Sequence, residues 1–272
     1  MFSLRKISVL ILFLFFFLPA PADNPYRPPA GAREAGMAFA STMSEGFWSS
    51  FHNAALLSSV NNISFGAGYE NRFGIKELST RTAAIIIPAG KASVGSFYSH
   101  FGYTDFRRDM IAISCGLPLS EKISAGIQID YFSEKTAGEY LNTNILTFEV
   151  GVLLRLSEEL TLGVQAFNPL PDAIRHFSIP SGLRAGIGSK LNSQLFAGVE
   201  VEMVTGMNPD LRAGLEYEVK NNFWIRGGYR STASSFSFGL GYLAHPGKID
   251  IAFSTHEKLG ITTNVSLVII LK

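Results

Sequence analysis

Ile123-Ser124-Ala125-Gly126-Ile127-Gln128-Ile129-Asp130-Tyr131-Phe132 is the stretch on which the fold turns. Apolar side chains hold the odd positions, and Ser124, Gly126, Gln128 and Asp130 stand between them. A period of two puts these sets on opposite faces of a β-strand, whereas a helix face would repeat every three to four residues. The same period returns further along the chain. Leu211, Ala213, Leu215 and Tyr217 alternate with Arg212, Gly214, Glu216 and Glu218; Phe223, Ile225, Gly227 and Tyr229 alternate with Trp224, Arg226, Gly228 and Arg230; Phe236, Phe238, Leu240 and Tyr242 alternate with Ser237, Gly239 and Gly241. About fourteen such runs follow one another. They cover 61–70, 79–88, 91–103, 107–117, 122–132, 143–156, 160–168, 181–190, 194–204, 210–218, 222–230, 235–244, 247–255 and 260–271.

The connections alternate in length. With the first run starting in the periplasm, tight turns fall on that side at Ala89, Ser120-Glu121, Ser157-Glu158-Glu159, Leu191-Asn192-Ser193, Lys220-Asn221-Asn222 and His245-Pro246. The opposite side carries the two longest loops, 133–142 and 169–180, the second with Pro169, Pro171 and Pro180. Short turns on one side, longer loops on the other, and an even number of strands describe an outer-membrane barrel. The spacing predicts an all-β chain: a transmembrane antiparallel up-and-down β-barrel of about 14 strands. The run 260–271 closes on 61–70, because a bilayer tolerates no unpaired strand edge.

Composition agrees. Of 272 residues, 47% are hydrophobic and 17% charged, with 26 Gly and 22 Phe, too apolar for a disordered chain and too broken by Gly for a helical bundle. A net charge of +1 supplies no basic surface for nucleic acid. The single cysteine, Cys115, cannot close an intrachain disulfide and continues the row of Ile111 and Ile113, as a lipid-facing or packing residue and not a nucleophile. At the start, Arg5 and Lys6 precede the apolar run Ile7 to Leu18 and then Pro19-Ala20-Pro21-Ala22, the pattern of a signal peptide cleaved after Ala22. The run is shorter than the roughly 20 residues a spanning helix needs. The expected organisation is therefore a signal peptide over 1–22, an N-terminal plug-like segment over 23–60 and an outer-membrane barrel over 61–272.

Charge falls on the faces opposite the aromatic rows, hence in the lumen. A three-residue turn at 191–193 would set Lys190 opposite Gln194 and Arg184 opposite Glu200. The turn at 220–222 sets Glu216 opposite Arg226, and a five-residue loop from Thr205 to Pro209 sets Glu202 opposite Arg212. Three acid–base pairs thus line the lumen, each contributing a few tenths to about 1 kcal/mol, and predict a filled interior instead of a wide aqueous pore.

Residues 23–60 break the period of two. Their stretch from Gly31 to Ala40, then Ser44-Glu45, Trp48 and Asn53-Ala54-Ala55-Leu56, resembles the opening of PorV-like and FadL-like outer-membrane proteins. The far end, Ile225 to Arg230, Lys248 to Ser254, Leu259-Gly260 and Val265-Ser266-Leu267, resembles the last strands of the PorV/PorQ branch. The resemblance implies a fourteen-stranded barrel with an inserted N-terminal segment, whose motif residues are Arg33, Gly36, Met37, Trp48 and Asn53, in a Bacteroidetes-type organism. It implies two functions. The first is an accessory component of type IX secretion, with secretion-system proteins or exported cargo as partners; the terminal motifs favour it, and an ion-filled lumen is a poor route for a fatty acid. The second is a FadL-like passive conduit for hydrophobic small molecules. Outer-membrane lipid surrounds the barrel in both, and neither implies a cofactor.

A hydrolase on the outer rim is the enzymatic alternative. His52, His100, His176, His245 and His256 are scattered without a repeated Ser or Asp partner, and His100 beside Ser99 comes nearest to such a site. No His pair has metal spacing. Asp130 and Glu149 read as lumen carboxylates, and Gly186-Ile187-Gly188-Ser189-Lys190 as strand glycines that leave room inside the barrel. The expectation is a non-enzymatic barrel with no catalytic or metal-ligating residue.

Overall fold

The computed structural model describes residues 26–137, 142–170 and 179–271. Fourteen antiparallel strands close into one barrel. They are β1 (Ser64–Asn71), β2 (Ser79–Ala89), β3 (Ala92–Gly102), β4 (Phe106–Pro118), β5 (Ile123–Thr136), β6 (Thr143–Arg155), β7 (Leu160–Phe167), β8 (Gly182–Lys190), β9 (Leu195–Val204), β10 (Asp210–Lys220), β11 (Phe223–Arg230), β12 (Ser235–Ala244), β13 (Gly247–His256) and β14 (Gly260–Ile270). Each pairs with its neighbours in sequence, and β14 returns to β1 with Ser64 opposite Ile270 and Asn71 opposite Thr263. The expected signal peptide, His176 and the middle of the 169–180 loop lie outside the described residues.

The alternation decides what each face meets. Odd positions of β4 and β5 point outward, leaving Ile113 61% and Ile129 53% exposed, while Asp130 and Ser124 between them are fully buried in the lumen. An outer surface of Ile, Leu, Val and Phe on every strand is solvated by hydrocarbon, not water. Exposed tyrosines mark both ends of that belt: Tyr69, Tyr98 and Tyr131 toward the loops, Tyr217 and Tyr242 toward the tight turns. Cys115 is exposed on the same outer face.

Two registers differ from expectation. Lys190 faces Phe196 and Arg184 faces Glu202, because the β8–β9 turn spans five residues: Leu191 N–H donates to Leu195 O at 2.8 Å, and Asn192 Oδ1 accepts from the Gln194 and Leu195 amides at 2.8 Å each. In β9–β10, Arg212 faces Glu200 and Asp210 faces Glu202. Both slips are of two residues, so every side chain keeps its face; a slip of one would have sent the charges into lipid. Glu216 does face Arg226. Boundaries move by up to four residues, most at the end of β5. β5 continues to Thr136 instead of ending near 132, because Glu134 on its inner face accepts from Arg108 Nε of β4 at 2.8 Å.

The N-terminal segment forms a short helix α1 (Ala32–Gly36) and two 3-10 turns, Trp48–Phe51 and Ala54–Ser59. It runs through the lumen, and glycines in the wall make the space. Gly116 pairs with Gly126 and Gly126 with Gly151; across the barrel Gly188, Gly198, Gly214 and Gly228 pair in series. A Cβ at Gly126 would land on the Ala54 backbone, one at Gly163 on Thr42, and one at Gly228 on Met37 and Ala38. A groove without side chains thus girdles the inner wall where the segment lies against it.

Candidate functional site: the closed lumen and its cavity

One side of the lumen is charged. From β9, Glu200 accepts from the Ser41 and Thr42 amides at 3.1 and 3.0 Å and from Thr42 Oγ1 at 2.7 Å, while also pairing with Arg184 of β8. Arg184 Nη2 donates to Phe39 O at 2.7 Å. That contact holds a strained stretch, since Ala38 and Phe39 are consecutive non-glycine residues at φ 53° and 60°. Arg212 pairs with Glu202 and, at 2.8 Å, with Asp210; Arg27 Nη1 reaches Glu202 at 2.7 Å. Nearer the tight-turn end, Arg33 of α1 grips both oxygens of Glu216, Nε at 2.9 Å and Nη2 at 2.7 Å. Arg226 shares that carboxylate at 2.6 Å and meets Asp250 at 2.8 Å. A forked guanidinium–carboxylate contact fixes orientation as well as charge.

The other side is apolar where the segment packs, with the Arg108–Glu134 pair and Gln128, Asp130 and Glu149 beyond it. Trp48, Phe51, Ala54 and Leu57 of the segment pack with Ile86, Phe97, Met110, Ala112, Phe132 and Ile145 of the wall. Trp48 stacks edge-on with Phe47 at 5.0 Å, and Phe51 lies 5.2 Å from Phe97. Asn53 holds the bend between the 3-10 turns: its Nδ2 donates to Thr42 O at 2.7 Å and to Val152 O of β6 at 3.3 Å, and its Oδ1 accepts from the Ala55 amide. Met37 is fully buried beside Gly214, and Gly36 abuts Gly239.

Between the two sides, on the loop side of the segment, is a cavity of about 460 Å³. Phe51, Phe97, Phe101, Met110 and Phe132 give it an aromatic wall on which Arg108 and Gln128 also stand; Arg27, Arg184, Glu202, Arg212 and Arg230 form the charged one opposite. His52 lies in its floor. Its Nε2 is 2.9 Å from Ala30 O and its Nδ1 3.4 Å from Arg184 Nη1, an arrangement met by the neutral ring with the proton on Nε2. Burial first, and the Arg184 charge second, hold this imidazole well below its usual pKa.

The six lumen residues singled out from sequence thus lie in two ion clusters: Arg184, Glu200, Glu202 and Arg212 in one, Glu216 and Arg226 in the other. Arg33, Gly36, Met37, Trp48 and Asn53 all touch the wall or the segment's own backbone. Sequence reasoning missed Asp210, Asp250 and Arg27, which complete the clusters; the inward parity of Asp210 and Asp250 was the available signal. It also took the ion pairs to fill the lumen, whereas most of them line β8–β11 and β13; on the β3–β5 side Arg108 pairs with Glu134 near the loops and a cavity remains beside them. Ser99 and His100 are not a pair: Ser99 faces the lumen, 2% exposed, while His100 points outward and meets Asp109 at 2.8 Å. Asp130 and Glu149 are lumen carboxylates, each hydrogen-bonded by a glutamine, Gln128 and Gln165.

The chain matches no protein-family model and no curated protein. Solved structures do match. A Pseudomonas aeruginosa FadL homologue aligns with a TM-score of 0.66 at 12% identity, over 90% of this chain and 99% of that one. The Ralstonia pickettii toluene transporter TbuX aligns at 0.64 and 12% identity, over 90% and 98%. The Pseudomonas putida toluene transporter TodX aligns at 0.66 and 11% identity, over 88% and 96%. At such identities the likeness speaks for architecture alone, and that architecture is the FadL-like outer-membrane β-barrel.

Proposed function

We propose that this chain is a non-enzymatic outer-membrane conduit for small hydrophobic or amphipathic molecules, and that residues 26–60 close its periplasmic end. The observation that carries this reading is the 460 Å³ cavity set against the segment, lined by a cluster of aromatic side chains and by arginines. A concave, mostly apolar site with a few placed polar groups is what a small ligand needs. The solved structures with this architecture include toluene transporters. This ranking reverses the one drawn from the terminal motifs. A type IX secretion role drew on the terminal motifs and on a lumen filled by ion pairs, and the cavity left beside those pairs takes the second support away.

The test is uptake of labelled toluene and of a labelled long-chain fatty acid by intact outer-membrane bacteria expressing the chain. Uptake is expected above that of cells carrying an empty vector, and Phe132→Arg, checked for folding by heat-modifiable gel migration, is expected to return it to the vector level. Uptake no greater than the vector control, together with loss of surface-protein export on deletion, would put the secretion accessory first.

A further inference from the structure

The outer face of the barrel is apolar, with one interruption. Apart from Lys220 at the turn-side rim, the ionisable side chains other than tyrosine and Cys115 on the outward face of the described strands are Arg81, His100, Arg107, Asp109 and Lys135. All five sit at the loop-side ends of four neighbouring strands, β2 to β5. Register brings them together: Arg81 stands opposite His100, His100 opposite Asp109, and Arg107 opposite Lys135.

Three permanent cations therefore face one carboxylate, and that carboxylate is already engaged. Asp109 Oδ1 accepts from Tyr98 Oη at 2.8 Å and lies 2.8 Å from His100 Nδ1, and its second oxygen is 3.8 Å from Arg107 Nε. Arg81 and Lys135 are exposed and make no ion pair with any described residue. Directly beneath lie the exposed side chains of Ile111, Ile113 and Ile129, which hydrocarbon must cover. A partner here has to present an anion at headgroup level and acyl chains below it.

We propose that this patch is a binding site for the phosphorylated headgroup of an outer-leaflet lipid. Arg81, Arg107 and Lys135 neutralise its phosphates, and the Ile111, Ile113 and Ile129 rows take its chains. Basic side chains at a membrane surface attract anionic headgroups additively, and a guanidinium suits phosphate oxygens by its forked donors. The proposal depends on the membrane-spanning reading but not on what passes through the lumen.

Native mass spectrometry of the full chain in neutral detergent tests it, with diphosphoryl lipid A and enzymatically dephosphorylated lipid A as probes. Diphosphoryl lipid A is expected to remain bound, and Arg81→Gln/Arg107→Gln/Lys135→Gln to weaken it about tenfold or more. Dephosphorylated lipid A should bind the parent no better than the diphosphoryl form binds that variant. Asp109→Asn should tighten binding, and Lys220→Gln should leave it unchanged. Heat-modifiable migration of each variant tests the barrel separately. Equal binding by parent and triple variant, equal binding of the two lipids, or full displacement by inorganic phosphate would overturn the proposal.

Discussion

The two walls of the lumen hold the N-terminal segment by different physics. On the β8–β13 side the contacts are directional: Arg33 on Glu216, the Ser41 and Thr42 amides on Glu200, and Phe39 O on Arg184. On the β2–β6 side they are mainly areal, with Trp48, Phe51, Ala54 and Leu57 laid against aromatic and aliphatic side chains and a row of glycines, and with hydrogen bonds from Asn53 to Val152 O and from Ser93 to Val60 O. Directional contacts fix where the segment sits and break all at once. Apolar contacts supply burial without a directional requirement, and are limited instead by steric fit. On the proposed conduit reading, release of the directional side, the latch, is the step that would free the cavity, which Glu216→Ala and Leu57→Ala test.

The largest effect separating the walls is expected from Glu216→Ala, which takes the forked partner from Arg33 and leaves two buried arginines to Glu34 and Asp250. Loss of one partner from such a cluster costs about 3–5 kcal/mol. Urea unfolding followed by gel migration should read this, and channel conductance should rise as the latch opens. Replacing both Arg33 and Glu216 with Met should recover most of the stability. An unchanged conductance in Glu216→Ala would mean that the apolar wall alone keeps the lumen shut.

On the apolar side, Leu57→Ala empties a fully buried position and should cost about 2 kcal/mol or more. Conductance should stay at the parent level, since the latch is intact. A rise equal to that of Glu216→Ala would erase the distinction between the walls.

Gly126→Ala probes the groove between them. Its methyl would strike the Ala54 backbone, and such overpacking costs about 1–3 kcal/mol. Gly227→Ala, at a position with no atom within 4 Å, is the neutral comparison in the same unfolding assay.

The smallest effect is the pH response of His52. In the unfolded chain the imidazole gains a proton below about pH 6.5, whereas in the folded chain burial and Arg184 keep it neutral to lower pH. The unfolded state therefore binds more protons, so this residue's stabilising contribution is complete above pH 6.5 and falls as pH drops below it. The urea midpoint of the parent should fall further between pH 7.5 and 5 than that of His52→Gln. Identical pH dependence of the two would show that the ring carries charge in place.

Much of this arrangement was legible beforehand, and the parts that were not share a cause. Alternation revealed fourteen strands, and near-neighbour counting placed Glu216 opposite Arg226. The same counting failed by two at Arg184 and Arg212, because turn length depends on local capping, such as that of Asn192, which hydrophobic pattern does not encode. Arg184 still meets Glu200 because long side chains reach diagonally across strands. The glycines at 186 and 188 announced room inside, but not that Thr42 and Met43 would take it.

The sequence by itself determined which residues face lipid and which face inward, since a period of two leaves only that choice once a bilayer is the solvent. It also determined that the strands close, because an open edge in hydrocarbon leaves backbone groups unbonded. Only the tertiary structure decided that the N-terminal segment lies inside the ring, which partner each lumen charge takes, and that one wall stays apolar enough to leave a cavity. Those outcomes depend on contacts between residues more than a hundred positions apart, such as Arg33 with Glu216, and no local pattern in the chain carries information over that distance.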